Sequence, residues 1–222
     1  MVALRILIPS VGVRIPARLP TTRCFNDARI KKETLKDCIM PKIDETREFI
    51  PVNIALLTVS DTRTLKDDRS GDILFQRASD DGHVVVERAI VKDEVHLIKK
   101  KLNLWIKEPK IDVVISTGGT GFTGRDVTPE AFKAIFEKEI EGFGELFRWI
   151  SFKKIGTSTI QSRAVAGVAK GTYLFALPGS TGACKDAWDE ILHNQLDIRF
   201  RPCNFVEIMP RLREHELAGR SS

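Results

Sequence analysis

The stretch Ile-Asp-Val-Val-Ile-Ser-Thr-Gly-Gly-Thr-Gly-Phe-Thr-Gly-Arg-Asp-Val-Thr-Pro-Glu, residues 111–130, decides the fold of this chain. Residues 111–115 are mostly apolar and β-branched, which is typical of a buried parallel strand. Thr128 and Pro129 then predict the start of a helix, because threonine can cap a helix and proline suits its first position. A strand, a glycine-rich loop and a helix in this order predict a phosphate-binding site.

The loop between the predicted strand and helix has the residues that an anion site requires. Glycine lets the backbone adopt positive φ and approach an oxyanion closely, and the amides at a helix start carry partial positive charge. Threonine hydroxyls add further hydrogen-bond donors. The residues concerned are Gly118, Gly119, Gly121 and Gly124 with Thr117, Thr120 and Thr123.

Two known phosphate-binding loops do not fit this stretch. Residues 119–124 match the dinucleotide pattern Gly-x-Gly-x-x-Gly only loosely, and residues 140–147 read as helix where that motif needs a strand ending in an acidic residue. A P-loop needs Gly-Lys-Ser/Thr, but Arg125 and Asp126 follow the last glycine. An aspartate there would repel a phosphate unless it holds a cation, so Asp126 indicates Mg²⁺ bound with a nucleotide. The alternative is an ordinary surface loop in which the aspartate forms a turn.

Length and charge narrow the range of functions. The 222 residues, 42% hydrophobic and 29% charged, suffice for one sizeable α/β core. Residues 1–39 contain eight Lys/Arg and three Asp/Glu, so they hold the whole formal net charge of +5, and residues 40–222 are balanced. We therefore expect no nucleic-acid partner.

The four cysteines and four histidines are scattered, without a Cys-x-x-Cys pair or the pattern of a catalytic triad. This spacing favours neither a disulfide framework nor a zinc site, and it predicts a reducing, cytoplasmic location. We do not expect nucleophilic catalysis by a side chain.

Residues 1–39 differ from the rest of the chain and are predicted to be a disordered basic extension. Their apolar start is interrupted by Arg5 and Pro9, so it is too short to span a bilayer, and no membrane partner is expected. Five arginines, with no acidic residue before Asp27, resemble a mitochondrial transit peptide. The alternative is that translation begins at Met40 and that the upstream part is not native. Residues 40–222 are predicted to form a single domain.

Strand and helix signals alternate along residues 52–192. The predicted strands are residues 52–59, 83–91, 111–115 and 172–177. The predicted helices are residues 72–79, 93–105, 129–139, 146–150, 158–165 and 183–192, with Gly142 and Gly144 ending the third. This alternation predicts a three-layer α/β/α fold with a mostly parallel, doubly wound sheet, whose ligand lies at the carboxyl ends of the strands.

Candidate polar residues follow each of the four predicted strands. Ser60 and Asp61 follow the first strand, Asp93 the second, the glycine loop the third, and Pro178-Gly179-Ser180 the fourth. Asp93 also stands where a helix cap belongs, which is the alternative to a functional role. Ser180 or Thr181 is predicted to cap the last helix, whose free amides offer a second anion site.

These residues resemble the family of molybdenum cofactor biosynthesis proteins that includes MoaB, MogA and the first domain of gephyrin, over residues 50–210. The shared motifs are Leu57-Thr-Val-Ser-Asp-Thr-Arg63, Asp67-Asp-Arg-Ser-Gly71, Ser116-Thr-Gly-Gly-Thr-Gly121, Arg125-Asp-Val-Thr-Pro-Glu130, Gly142-Phe-Gly-Glu145, Gln161-Ser-Arg163 and Leu177-Pro-Gly179. Segments 155–159, 164–169 and 201–205 are similar to the MoaB branch in particular.

The resemblance implies adenylylation of molybdopterin, in which ATP with Mg²⁺ transfers AMP to the terminal phosphate of the pterin dithiolene and releases pyrophosphate. It assigns Mg²⁺ and catalysis to Asp93 and Asp126. It assigns the nucleotide to Gly118, Gly119, Thr120 and Gly121, and molybdopterin to Ser151, Ser162 and Arg163. By their position at strand ends, Ser60 and Asp61 join the nucleotide group, and Pro178, Gly179 and Ser180 join the substrate group. The resemblance also implies a homotrimer or homohexamer and, as a further partner, the molybdenum-insertion protein.

Some members of the MoaB branch lack the aspartate of the glycine loop and are not adenylyltransferases, so a non-catalytic molybdopterin-binding or scaffold protein is the alternative. Asp126 and Asp93 are both present here, which favours the enzyme. The sequence leaves open whether the cofactor contains molybdenum or tungsten. It also leaves open whether Phe143, Phe147, Trp149 and Phe152 form an oligomer interface or part of the core.

Overall fold

A six-stranded sheet and its covering helices make up the centre of the computed structural model, which describes residues 42–214. The strands are β1 (Lys42–Ile43), β2 (Asn53–Val59), β3 (Val84–Val91), β4 (Val113–Thr117), β5 (Lys138–Glu139), β6 (Val165–Ala169), β7 (Thr172–Leu177) and β8 (Phe200–Arg201). The helices are α1 (Arg69–Asp80), α2 (Val95–Trp105), α3 (Thr128–Lys133), α4 (Glu141–Ile155), α5 (Thr181–Ala187), α6 (His193–Gln195) and α7 (Phe205–Ile208). A 3₁₀ turn (Gly156–Gln161) follows α4, a π-helical turn (Trp188–Leu192) follows α5, and a second 3₁₀ turn (Met209–Arg211) follows α7. The extension predicted for residues 1–39 lies outside the described residues.

The sheet has the strand order β3-β2-β4-β7-β6-β5, and β1 pairs separately with β8. Its first four strands are parallel, whereas β6 and β5 run antiparallel to their neighbours. The register aligns Thr58 with Thr117 and Thr117 with Leu177, and it aligns Val59 with Val91. The four parallel strands therefore end level with one another, and the residues that follow them meet at one edge of the sheet.

Both faces of the sheet are covered, which explains the continuous apolar runs of its central strands. Every residue of β4 and β7 is buried. On one face Leu56 and Phe175 belong to a core with residues of α1, α4 and α5, and on the other Leu57 and Leu174 belong to a core with residues of α2 and α3. These three layers and the mostly parallel sheet confirm the predicted fold class.

The helix predicted over residues 129–139 is wrong in its length and in the way it ends. α3 stops at Lys133, β5 follows, and Gly142 and Gly144 lie in the first turn of α4 instead of ending a helix. The predicted helix over residues 146–150 is part of α4. A Cβ atom on Gly144 would lie 2.6 Å from the carbonyl oxygen of Ala164. This glycine therefore permits the close approach of α4 to the chain that enters β6.

The helix predicted over residues 158–165 is also wrong. Residues up to Gln161 form the 3₁₀ turn, and β6 begins at Val165 with every residue buried. Because both faces of β6 are covered, its small apolar side chains show no alternation that would indicate a strand. Gly167 is needed there, since a Cβ atom would lie 2.4 Å from the ring of Phe136.

Two predicted helix caps are absent, and one is confirmed. Glu94, not Asp93, occupies the cap position of α2, and Thr128 is the first residue of α3 instead of its cap. Neither helix has a capping hydrogen bond from a side chain. Ser180 does cap α5, because its hydroxyl accepts a hydrogen bond from the Ala183 amide at 3.1 Å. Capping therefore does not explain Asp93.

Candidate functional site

A cavity of about 420 Å³ lies where the parallel strands end. The glycine loop after β4 forms one wall, the turn after β7 forms a second, and α4 with the following 3₁₀ turn forms a third. The cavity brings together nine of the predicted site residues, namely Gly119, Thr120, Gly121, Asp126, Ser151, Ser162, Pro178, Gly179 and Ser180. Gly118, Ser60, Asp61, Asp93 and Arg163 do not line it.

The glycine loop is held in a conformation that only glycine tolerates at its first two positions. Gly118 has φ +104° and Gly119 has φ +63°. A Cβ atom on Gly118 would lie 2.2 Å from the carbonyl oxygen of Val59, and Gly179 approaches the Cα of Gly118 closely enough that its own Cβ would lie 3.2 Å away. The loop, the end of β2 and the turn after β7 are therefore packed directly against one another.

Arg163 fixes the glycine loop from outside the cavity. Its Nε donates to the carbonyl oxygen of Gly121 at 2.8 Å, and its Nη2 donates to the carbonyl oxygen of Asp126 at 2.8 Å. Its Nη1 pairs with the carboxylate of Glu130. These contacts support the loop and leave further N–H donors of the guanidinium, so the predicted contact of Arg163 with molybdopterin stays a prediction.

Asp126 stands on this loop with its carboxylate in the cavity. Its Oδ2 accepts hydrogen bonds from the amide of Thr123 at 2.8 Å and from the Thr123 hydroxyl at 2.6 Å. Partial burial alone would raise the pKa of Asp126, but the hydrogen bonds from Thr123 and Gly121 and the charge of Arg163 lower it below the ordinary value. Asp126 is therefore ionised at neutral pH and offers a negative charge to a cation.

Asp93 contacts the same loop at Gly119, although Asp93 itself does not line the cavity. A Cβ atom on Gly119 would lie 2.3 Å from Asp93 Oδ1, and this oxygen is buried without a hydrogen-bond partner among the described residues. Burial, followed by the charges of Asp61 and Asp126, raises the pKa of Asp93. A buried carboxylate oxygen without a donor is costly, so this atom requires a proton or a cation.

Asp61 and Ser60 lie beside the site and have structural partners. Asp61 binds Arg125 through two hydrogen bonds of 3.0 and 2.7 Å, which are the main cause of the lowered pKa of Asp61. Asp61 also accepts from the backbone amide of Asp93 at 3.3 Å. The Ser60 hydroxyl accepts from the amides of Thr62 and Arg63. These contacts connect the loop after β2 to the glycine loop and to the chain before α2.

The wall opposite the glycine loop offers hydroxyl groups on an apolar background. Ser151 is 5% exposed, and the Ser162 hydroxyl is buried without a partner. Phe147, Ile155 and Ala183 supply the apolar surface. This wall can take a flat, partly apolar ligand that also carries hydrogen-bond acceptors.

Sequence reasoning missed three polar residues of this region. Ser158 and Gln161 line the cavity from the 3₁₀ turn, where a helix was predicted. Arg63 donates to the carbonyl oxygen of Gly179 at 3.3 Å and to the Ser70 hydroxyl, so it supports the turn after β7. Its place in the motif that follows β2 was the signal available for it.

The residues fit Mg²⁺ only as part of a complex with a phosphate ligand. Within residues 42–214, no group of three or more His, Cys, Asp or Glu side chains could hold a metal ion. Mg²⁺ is commonly bound by one or two carboxylates together with substrate phosphates and water. The ionised Asp126 and the unpartnered oxygen of Asp93 meet that requirement.

None of the helices in the described part is long and apolar enough to cross a membrane.

Comparison with known proteins gives consistent matches. The family model of the probable molybdopterin binding domain matches residues 55–198. Molybdenum cofactor biosynthesis protein B of Escherichia coli strain K12 is 54% identical over 158 residues, which are 71% of this chain and 93% of the relative. A crystal structure of a molybdenum cofactor biosynthesis protein B is 40% identical with TM-score 0.66, covering 68% of this chain and 94% of the other. The tungsten cofactor synthesizing protein MoaB from Pyrococcus furiosus is 36% identical with TM-score 0.58, covering 64% and 91%.

Proposed function

This chain belongs to the molybdopterin-binding family of molybdenum cofactor biosynthesis proteins B, and from that premise we propose that it transfers AMP from Mg-ATP to molybdopterin. The reaction forms a bond between the α-phosphorus of ATP and an oxygen of the terminal phosphate of molybdopterin. It breaks the bond from the α-phosphorus to the pyrophosphate group, which leaves. The products are adenylyl-molybdopterin and pyrophosphate.

The observation that carries the proposal is the cavity, because it has two walls of different chemistry. Gly119, Thr120 and Gly121 present backbone to one side, and Ser151 and Ser162 present hydroxyls to the other. A nucleotide suits the first wall, since a glycine backbone can approach phosphate oxygens closely. The terminal phosphate and the flat ring of molybdopterin suit the second. The two phosphates would then meet between the walls, which reduces the entropy cost of their reaction.

Asp126 and Asp93, which lie next to Gly121 and Gly119 of the glycine loop, would hold Mg²⁺ together. When bound, Mg²⁺ supplies positive charge where two phosphate groups repel each other. Asp126 is kept ionised by Thr123, and Arg163 keeps the Asp126 backbone in place. The ion pair with Asp61 holds the positive charge of Arg125 next to the glycine loop. These side chains place positive and negative charge around the reacting phosphates without having to rearrange.

The direct test is to incubate the purified protein with molybdopterin, ATP and Mg²⁺ and to measure adenylyl-molybdopterin and pyrophosphate. We expect both products when all three components are present, and neither product when any one is omitted. A protein that binds molybdopterin but forms no adenylylated product would contradict the proposal. That result would leave the alternative, a molybdopterin-binding scaffold.

We also propose a homotrimer or homohexamer. Phe143 and Phe147 are buried in the core, so they do not serve an interface. Trp149 is 59% exposed and Phe152 is 54% exposed, both on α4. Exposed aromatic side chains on one helix favour association with another copy. Light scattering at micromolar concentration should give a multiple of the 24.9 kDa chain mass, and a monomer would contradict this proposal.

A further inference from the structure

Thr128 has a buried hydroxyl that the functions assigned above do not use. It is the first residue of α3, it is fully buried, and it makes no capping hydrogen bond. Its Oγ1 has no hydrogen-bond partner among the described residues. A buried polar atom left without a partner costs about 1–3 kcal/mol, so a bound water, ion or ligand atom is expected to supply the missing partner.

The position of this hydroxyl indicates which ligand it meets. A Cβ atom on Gly119 would lie 2.4 Å from Thr128 Oγ1 and 2.3 Å from Asp93 Oδ1. The two oxygens are therefore close neighbours on the same side of Gly119, and Asp93 Oδ1 also has no partner. Two buried oxygens, one from a carboxylate and one from a hydroxyl, form the kind of donor set that a hard divalent cation and its water molecules prefer.

The backbone keeps Thr128 in this position. Its amide donates to the carbonyl oxygen of Gly119 at 3.0 Å, so α3 starts from a fixed point on the glycine loop. Gly119 has φ +63° and no side chain, and any larger residue would occupy the space in front of both oxygens. The arrangement therefore depends on Gly119, Asp93 and Thr128 together.

We propose that Thr128 is a further residue of the Mg²⁺ site, where its hydroxyl and Asp93 Oδ1 together hold the cation or one of its water molecules. The inference rests on the proposed function, because that function places Mg²⁺ between the two aspartates. Thr128 is thus a binding residue for the cation, beside Asp93.

The test measures ATP binding by calorimetry with and without Mg²⁺, in the absence of molybdopterin. The quantity compared is the ratio of the ATP dissociation constants without and with Mg²⁺, which we call the Mg²⁺ factor. In Thr128→Val, which keeps the shape and removes the hydroxyl, we expect this factor to fall by about tenfold or more, as for other residues that support metal ligands. Thr128→Ser keeps the hydroxyl and should retain most of the factor.

Thr172→Val is the matched control. Thr172 is a buried threonine at the start of β7, at the opposite end of the sheet, and its hydroxyl donates to the carbonyl oxygen of Ile111. Thr172→Val should lower the melting temperature and leave the Mg²⁺ factor unchanged. The double variant Asp93→Asn/Thr128→Val should bind no worse than Asp93→Asn alone, because both residues act on the same ligand.

A normal Mg²⁺ factor in Thr128→Val would overturn the inference, and so would a wild-type protein whose ATP binding does not respond to Mg²⁺. The outcome for the proposed function is separate. If the wild type shows the Mg²⁺ factor, and Thr128→Val loses it, the inference stands even where no adenylyl-molybdopterin forms. In that case only the proposed transfer reaction fails.

Discussion

At the amino ends of the parallel strands the buried polar groups have partners, whereas at the carboxyl ends several have none. The amide of Val52 donates to His83 Nδ1 at 3.3 Å, and Thr172 donates to Ile111. The four buried side-chain atoms without a partner in residues 42–214 are Asp93 Oδ1, Ser116 Oγ, Thr128 Oγ1 and Ser162 Oγ. All four lie toward the carboxyl ends, close to the glycine loop or the cavity. We call the carboxyl ends of the strands the unpaired end and the amino ends the paired end. The polar atoms without partners at the unpaired end lower the folding stability, and they are the groups that can bind a ligand.

The largest expected effect is that of Asp126→Asn at the unpaired end. The amide keeps the size of the side chain but removes the charge that binds a hard cation, so turnover should fall by about two orders of magnitude or more. Molybdopterin affinity should survive, because the hydroxyl wall of the cavity is unchanged. Turnover at saturating ATP and molybdopterin affinity by calorimetry measure the two effects.

Asp67→Asn is the control for Asp126→Asn. Asp67 accepts from the amide and hydroxyl of Thr64, three residues before it, just as Asp126 accepts from Thr123. Asp67→Asn should therefore leave turnover unchanged. Near-normal turnover in Asp126→Asn would show that this carboxylate only shapes its turn, and a parallel loss of molybdopterin binding and melting temperature would show a structural role.

Asp81→Ala tests the paired end and should affect stability alone. Asp81 Oδ2 accepts from Trp188 Nε1 at 2.7 Å and contacts His193 Nδ1 at 2.7 Å. Trp188 is 1% exposed, so removing the carboxylate leaves a buried donor without a partner. We expect a loss of about 2 kcal/mol, or roughly 4–8 °C in melting temperature. Turnover at 25 °C should not change, and a large loss of turnover would contradict the division between the two ends.

Asp93→Asn should increase the stability of the ligand-free protein while it abolishes turnover. The substitution removes a half-buried charge, which burial disfavours most and which Asp61 and Asp126 repel. The expected gain is about 1 kcal/mol, which corresponds to roughly 2–4 °C for a chain of this size. Thermal unfolding without ATP or Mg²⁺ measures it. A lower melting temperature would mean that Asp93 stabilises the fold and that the cost assigned to its unpaired oxygen is mistaken.

The smallest effect concerns His83 and the pH dependence of stability. Burial lowers the pKa of His83 from its ordinary 6.5, against the opposing charges of Asp81 and Asp197 and with a small contribution from His193. A base with a lowered folded-state pKa stabilises the fold fully above its unfolded value, and this contribution is lost as pH falls below about 6.5. The slope is at most about 1.4 kcal/mol per pH unit. His83→Phe should flatten the melting temperature between pH 7 and 5.5, and an unchanged slope would exclude His83 as its cause.

The sequence predicted well those parts of the fold and site whose residues form a recognisable pattern over a short stretch of chain. The parallel strands are continuous apolar runs because both faces are buried, and Asp126 stands directly after the glycine loop. β6 gave no such signal, since its small side chains are compatible with a helix. Gly144 looked like a helix breaker, because its close approach to Ala164 is a tertiary contact. The backbone partners of Arg163 lie about forty residues away in sequence and could not be identified from spacing.

The ion pair between Arg125 and Asp61 makes the loops beside the site sensitive to the salt concentration. The Arg125 side chain is 60% exposed, and an exposed ion pair contributes only about 0–1 kcal/mol. The guanidinium holds the carboxylate through two parallel hydrogen bonds, the arrangement that also suits a phosphate. The ion pair is one of the contacts that join the loop after β2 to the glycine loop. Because salt screens exposed charges over about 8 Å at physiological ionic strength, this ion pair weakens as the salt concentration rises.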